Sequence, residues 1–354
     1  MPHKPQLDGL RFLAFLAVFY FHAYPGMGYP GPEGVQVFFT LSGFLITRIL
    51  ILGETGRIGH DLGRFYFRRT LRIFPLYYAV VLGLWLHGLL PGLGWYLTYT
   101  YNVRAYLLPG WGGPVGHFWT LSVEEQFYLL FPPALLLTPP RLRFAMVAAL
   151  LVGSKAFQAY ARTHLTLPWS GFLLPYCGEH LLWGCLAGLI ELRAKPGNWE
   201  GPLCLLAGVP LMVLGRSRPG WWTTPPDPSI VLGTLSCFGL GSALVVFGLW
   251  RTSRPWIIAP LTFGPVAYLG RISYGLYVFH LLVLERGWFS YYVPEYYLFY
   301  RMPYSELGLT IAISALSWHL FERPINRLKD RAGREAAARA IGRIWRAARR
   351  RYRG

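Results

Sequence analysis

Ten apolar stretches of 15 to 22 residues recur along this chain and constrain its fold more than any other feature. Their approximate bounds are 8–24, 33–52, 74–91, 117–137, 143–160, 172–191, 201–215, 229–249, 264–285 and 305–322. A helix needs about 20 apolar residues to cross a bilayer. Only 14% of the residues are charged, whereas a soluble domain carries about 25%. The sequence therefore predicts an all-α, polytopic membrane bundle of about ten transmembrane helices, and excludes a soluble or disordered protein.

The basic residues between these stretches predict the orientation of the bundle. The segment 94–108 is apolar but holds Asn102 and Arg104. If it does not cross and the N-terminus is cytoplasmic, 24 Lys and Arg residues lie inside and six outside. If it crosses, the basic C-terminal tail lies outside, against the insertion bias for positive charge. We therefore expect both termini in the cytoplasm and 94–116 as a re-entrant or external segment.

The composition changes near residue 328, which predicts a membrane domain over 1–328 and a basic cytoplasmic tail over 329–354. The apolar residues of the tail at helical spacing are Ile341, Ile344, Trp345, Ala348 and Tyr352. The tail either forms an amphipathic helix on anionic membrane lipid or is simply solvated. The net charge of +18 lies mostly in turns and in this tail, so no nucleic-acid partner is expected. The four cysteines lie within or beside apolar runs without a CxxC pair, and no metal site is expected.

Ionisable side chains within a membrane span carry a free-energy cost, so each of them indicates a structural or functional role. Arg11 and His22 occupy the first stretch eleven residues apart, which is about 16 Å along a helix and nearly the same face. One face would then carry a cation near its cytoplasmic end and an imidazole farther across. A single histidine in an apolar helix is more often a packing residue than a functional one, but the same-face pairing with Arg11 gives the two interpretations equal weight.

An arginine cluster precedes the third stretch in the sequence FRRTLRIFPLYY. On number alone, Arg64, Arg68, Arg69 and Arg72 are cytoplasmic anchors of the span. Arg69 and Arg72 are three residues apart, however, so their guanidinium groups can also hold a phosphate together.

Two glutamates stand where the fourth stretch begins, in GHFWTLSVEEQFYLLFP. Acidic residues in a first helical turn stabilise the helix dipole. Alternatively, Glu124 shares a helical surface with Ser122 and Tyr128, follows His117, and is able to orient an imidazole as in acid–base dyads.

Six blocks together resemble the acyltransferase 3 family of bacterial membrane O-acyltransferases. They are LDGLRFLAFLAVFYFH, GVQVFFTLSGFLITR, FRRTLRIFPLYY, FWTLSVEEQFYLLFP, LGRISYGLYVFHLLV and FERPINRL, in register from Leu7 to about Leu328. The resemblance implies a multi-pass protein of the inner membrane. It also implies transfer of an acyl group, usually acetyl, from acyl-CoA to a hydroxyl of a carbohydrate. Acyl-CoA is the donor substrate, and no permanently bound cofactor is expected.

The resemblance also implies roles for individual residues. His22 is the catalytic base or acyl carrier, Glu124 is the first choice to orient it, and the expected donor-binding residues are Arg11, Arg68, Arg69 and Arg72. Residues with expected supporting roles are Glu33, Gln36, Ser42, His117, Ser122, Glu125, Tyr128 and His280. Many relatives carry Asp at the position of Gln36, so the orienting role must pass to Glu33, Glu124 or Glu125, or be met by a neutral amide.

A transporter or flippase of a lipid-linked sugar is the alternative function, with intramembrane Arg, His and Glu residues as a proton relay. The sequence shows no inverted repeat, and its arginine cluster lies at a loop rather than in mid-span. An enzyme is therefore the favoured interpretation.

Overall fold

A computed structural model describes residues 3–24, 27–108, 113–165, 169–195, 197–216, 228–285 and 304–328. These residues form helices, and no strand occurs among them. The helices are α1 (Pro5–Ala23), α2 (Gly31–Leu52), α3 (Ile58–Leu86), α4 (Leu93–Leu97), α5 (Tyr101–Leu107), α6 (Trp119–Leu137), α7 (Arg143–His164), α8 (Leu174–Cys177), α9 (Glu179–Arg193), α10 (Glu200–Arg216), α11 (Pro228–Arg251), α12 (Pro255–Thr262), α13 (Gly264–Arg271), α14 (Ser273–Glu285) and α15 (Tyr304–Ser317). Short 3₁₀ helices cover Gly113–Phe118 and Trp169–Phe172, and a π-helical turn covers Trp318–Glu322. The predicted tail 329–354 lies outside the described residues.

The prediction of an all-helical bundle is confirmed for the described residues, with several shifts in helix bounds. α3 begins well before residue 74, because the arginine-rich segment ahead of the apolar stretch is helical too. The stretch 264–285 is broken into α13 and α14, which meet at 75°. By length and composition, two described helices are able to cross a membrane, Gly31–Leu52 and Arg143–His164, and the bent pair is a third candidate. Ten crossings and the orientation remain predictions.

The ambiguous segment 94–108 consists of two short helices, α4 and α5, rather than one span. They fold back against α3 and α6: the hydroxyls of Tyr77 and Tyr78 donate to the carbonyls of Tyr96 and Leu97, both at 2.9 Å. At the turn between the helices, Gln126 donates to the Tyr99 carbonyl at 2.8 Å. These bonds satisfy backbone oxygens at the turn, as a non-spanning segment inside a membrane requires.

The first helix lies at the centre of the fold and contacts α2, α11, α12, α13 and α14. Phe15 and Phe19 on α1 are fully buried against Ile272 and Leu276, which belong to the bent pair α13–α14. Burial of two aromatic side chains contributes several kcal/mol of apolar stabilisation, about 1.5–3 kcal/mol for each. This contact places the C-terminal turn of α1 beside α14.

Glycines allow α2 to approach α9 closely. A Cβ atom on Gly43 would meet the backbone carbonyl of Leu181, and one on Gly184 would meet the backbone carbonyl of Thr40. Any larger residue at either position must push the two helices apart, because a backbone atom cannot rotate away as a side chain does.

An ion pair anchors the connection between α2 and α3 to the start of α7. Arg143 donates two hydrogen bonds to the carboxylate of Glu54, at 2.7 and 2.8 Å. These charge-assisted bonds hold the pKa of Glu54 below its ordinary value. The pair thus fixes the loop from which the arginine-bearing helix α3 begins.

Candidate active site

Three histidines from distant parts of the chain lie side by side. His22 is in the last turn of α1, His117 just precedes α6, and His280 is in α14. The ring centres of His22 and His280 are 5.2 Å apart, and those of His117 and His280 are 4.6 Å apart. His117 and His280 are buried, whereas His22 is half-buried. The structure thus gathers the predicted catalytic histidine and two predicted supporting residues into one cluster.

Hydrogen bonds set the orientation of two of these rings. Nδ1 of His22 lies 3.0 Å from the Val18 carbonyl oxygen and 3.2 Å from Nε2 of His280. Nδ1 of His280 in turn lies 2.7 Å from the Tyr277 carbonyl oxygen. Each carbonyl belongs to the same helix as the imidazole it contacts, so each ring is bonded back to its own helix.

The predicted partner of His22, Glu124, makes a different contact. Both residues are described, and no hydrogen bond joins them; instead Glu124 Oε1 accepts a bond from the Ser42 hydroxyl at 2.6 Å. The predicted contact between His22 and Glu124 is therefore not present: Glu124 lies in α6 and bonds to α2, whereas His22 bonds within α1 and to α14.

Glu124 instead lines a polar cavity of about 100 Å³ that α1, α2, α3, α6 and α14 enclose. Side chains from all five helices face it, and half of the predicted site residues are among them. The charged and polar lining residues are Arg11, Ser42, Arg69, Arg72, Thr120, Glu124, Glu125, Tyr128, Ser273, Tyr274 and Tyr277.

Three of the four predicted donor-binding arginines line this cavity. Arg69 and Arg72 share a face of α3, and the guanidinium of Arg69 lies over the ring of Tyr128 at 4.0 Å. Arg11 approaches from α1 and donates to Asp8 at 3.2 Å. Arg68 is exposed and does not line the cavity: it points about 100° away from Arg69 and, although it lies near the face of Arg72, it precedes Arg72 by about one turn of α3. The prediction that Arg68 acts with Arg69 and Arg72 is not supported by this placement.

Several buried polar atoms of the cavity walls lack a hydrogen-bond partner: Arg69 Nε, Glu125 Oε1 and Tyr128 Oη. The same residues border a second cavity of about 190 Å³ on the side of the α4–α5 segment, where the Tyr99 hydroxyl is also unpartnered. Tyr99 further has a positive φ of 52°. Buried unpartnered polar groups are uncommon in native proteins, and together with a strained backbone they mark a place for a ligand.

Tyr277 joins the cavity to the histidine cluster. Its hydroxyl lies 2.7 Å from Oγ1 of Thr120 and donates to the His117 carbonyl at 3.3 Å. Its ring lies 5.1 Å from that of His117 and 5.4 Å from that of His280. No sequence pattern indicated Tyr277 as a site residue. The only local sign of it is the three-residue spacing to His280, which places both on one face of α14.

Three further predicted supporting residues do not line the polar cavity. Glu33 borders a separate apolar cavity of about 250 Å³ together with Met212 and Arg216. Gln36 lies on α2. The Ser122 hydroxyl donates to the Phe118 carbonyl at 3.2 Å.

Comparison with known proteins gives a family match along nearly the whole chain. The sequence profile of the acyltransferase 3 family, described as an acyltransferase domain, matches residues 4–321. YrhL of Bacillus subtilis (strain 168), provisionally named a peptidoglycan O-acetyltransferase, is 26% identical over 91% of this chain and 54% of its own length. The peptidoglycan O-acetyltransferase OatA of Listeria monocytogenes is 24% identical over 92% of this chain and 56% of its own length.

The chain spans about half the length of these two relatives. Nodulation protein 10 of Rhizobium leguminosarum bv. viciae is matched over 94% of its length and 92% of this chain, at 27% identity. No solved structure matches the chain significantly. The profile match covers nearly the whole chain, and the chain therefore belongs to the acyltransferase 3 family.

Proposed function

We propose that this protein is a multi-pass O-acyltransferase of the inner membrane that moves an acyl group, acetyl in the first instance, from acyl-CoA to a carbohydrate hydroxyl. The observation that carries the proposal is that Tyr277 contacts both groups: it lines the arginine-lined cavity, and its hydroxyl donates to the carbonyl of His117 in the histidine cluster. A donor with a phosphate-bearing end and a reactive end about 16 Å away matches the separation of Arg11 and His22 along α1.

The cavity suits part of the donor rather than the whole of it. Three guanidinium groups face it against the two carboxylates of Glu124 and Glu125, so its walls favour an anion. Its volume of about 100 Å³ is small beside the roughly 300–1,000 Å³ of pockets that enclose a drug-sized ligand. We therefore assign it to the phosphates or the extended arm of acyl-CoA, with the nucleotide outside.

The chemistry is assigned to His22. As a general base, His22 accepts the proton of the acceptor hydroxyl while its oxygen attacks the thioester carbonyl; the C–S bond then breaks and the CoA sulfur takes up the proton. As a nucleophile, His22 first forms an acyl-imidazole and releases the thiol, and the hydroxyl attacks the acyl group in a second step. The proposal covers both routes, since each requires an unprotonated ring nitrogen on His22.

The acceptor class follows from the relatives. Two of them carry names that refer to O-acetylation of peptidoglycan, which is a carbohydrate polymer with free hydroxyls. We propose a cell-envelope or exported carbohydrate as the acceptor for this chain.

Turnover of acetyl-CoA by the purified protein tests the proposal. The protein in detergent is supplied with labelled acetyl-CoA and soluble peptidoglycan fragments, and free thiol and labelled glycan are measured together. We expect equal amounts of both products, and neither from the variant His22→Ala. Folded protein that releases no thiol with any carbohydrate acceptor, but transports a lipid-linked sugar in vesicles, would support the transporter instead.

A further inference from the structure

The protonation pattern of the histidine cluster follows from its carbonyl contacts. A carbonyl oxygen only accepts hydrogen bonds, so the ring nitrogen that faces it must carry the hydrogen. Nδ1 of His280, at 2.7 Å from the Tyr277 carbonyl, is therefore the N–H nitrogen of that ring. In the neutral imidazole, Nε2 of His280 then keeps its lone pair.

That lone pair faces His22. Nδ1 of His22 lies 3.2 Å from Nε2 of His280 and 3.0 Å from the Val18 carbonyl oxygen, and both of these atoms are acceptors. Nδ1 of His22 therefore carries the hydrogen and shares it between them. In the neutral ring, the lone pair of His22 is left on Nε2, the nitrogen that either chemical route uses.

The position of His280 is itself rigid. The residue has no exposed surface, and the rings of His117 and Phe15 meet it edge-on at 4.6 and 6.0 Å. Because water does not reach His280, no solvent molecule competes for its Nε2 acceptor. An acceptor held in this way keeps its full effect when charge develops on the neighbouring ring.

We infer that His280 is a positioning residue that acts through His22, an inference that rests on the proposed role of His22. It holds His22 in the tautomer with an unprotonated Nε2 and strengthens its hydrogen bond as His22 becomes positive, whether by protonation or by acylation. A buried carboxylate does this in serine hydrolases. Here a second imidazole takes the place that Glu124 was expected to fill.

Two substitutions at one position separate this role from simple packing. His280→Gln places an amide oxygen near the former Nε2 and retains an acceptor, whereas His280→Leu fills the space without one. Loss of a partner that orients a reactive ligand typically lowers activity by about 10–100-fold. We expect such a fall in kcat for His280→Leu, and recovery of most of it in His280→Gln.

The KM for acetyl-CoA distinguishes a positioning role from misfolding. Since the arginine cavity is untouched, the KM for acetyl-CoA should stay within about two-fold of wild type in both variants. His164→Leu, at an exposed histidine of α7, is the matched control and should leave kcat unchanged.

Wild-type kcat in His280→Leu, or equal losses in the Leu and Gln variants, would overturn the inference. The proposed function fails separately, through an active His22→Ala variant.

Discussion

At the scale of single residues, the structure divides the four clustered arginines of α3 into two kinds. Arg69 and Arg72 line the polar cavity, although Arg72 is also exposed, whereas Arg64 and Arg68 are exposed and do not line it. A guanidinium bonded to phosphate is a charge-assisted contact worth about 1.5–3 kcal/mol, which corresponds to roughly a 10- to 100-fold change in affinity.

Arg69→Ala and Arg72→Ala should therefore raise the dissociation constant of acetyl-CoA by about 10- to 100-fold each. Arg68→Ala is the control, because it removes the same charge from the adjacent position without touching the cavity. Equilibrium binding of labelled acetyl-CoA to the purified variants measures the difference. If all three variants bound like the wild type, the cluster would be topogenic only.

Glu124 is a second residue whose contact suggests a test. Its bond with Ser42 places it among the proposed donor-binding side chains rather than beside His22. Glu124→Gln should consequently change the KM for acetyl-CoA by several-fold and leave kcat within about three-fold of wild type. Steady-state kinetics of Glu124→Gln and His22→Ala test this. Loss of kcat in Glu124→Gln, with an unchanged KM for acetyl-CoA, would show that Glu124 acts with His22 instead.

At the scale of helices, the glycine contacts between α2 and α9 position Ser42 and the rest of α2 against the cavity. Gly43→Leu would drive a side chain into the backbone of α9 at Leu181. Overpacking of this kind costs about 1–3 kcal/mol of unfolding free energy.

We expect a lower melting temperature in detergent for Gly43→Leu. The matched control is Gly153→Leu on α7, since an added Cβ there has nothing within 4 Å. Equal melting temperatures for the two variants would contradict the close packing of α2 on α9.

Helix periodicity explains which parts of the site the sequence was able to predict. The pairing of Arg69 with Arg72, and the placing of Arg11 on the inward face of α1, depend only on angles within one helix. The contact between His22 and His280 joins residues 258 positions apart, through the burial of Phe15 and Phe19 against the α13–α14 bend. No local pattern encodes that contact, so His280 was only a supporting candidate and Tyr277 was missed.

At the scale of the whole molecule, the short helices α4 and α5 fit a chain whose termini lie on the same side of the membrane. Single-cysteine labelling should find residues 57–69 and the tail after Arg331 in the cytoplasm and 286–304 outside, although 286–303 and the tail lie outside the described residues. The reason is the bias of 24 basic residues against six. Labelling of the tail from the outer side would reverse every span after residue 108.

The central claim is that His22 carries out acyl transfer from a donor held in the arginine-lined cavity. The most direct test is the rate of acetyl transfer from saturating labelled acetyl-CoA to glycan by purified wild-type protein and His22→Ala. Loss of a general base lowers the rate by about 10²–10⁴-fold, and loss of an acyl carrier lowers it further. We expect the transfer rate of His22→Ala to be at least about 100-fold lower, with unchanged acetyl-CoA binding. Transfer by His22→Ala at a rate close to that of the wild type would contradict it.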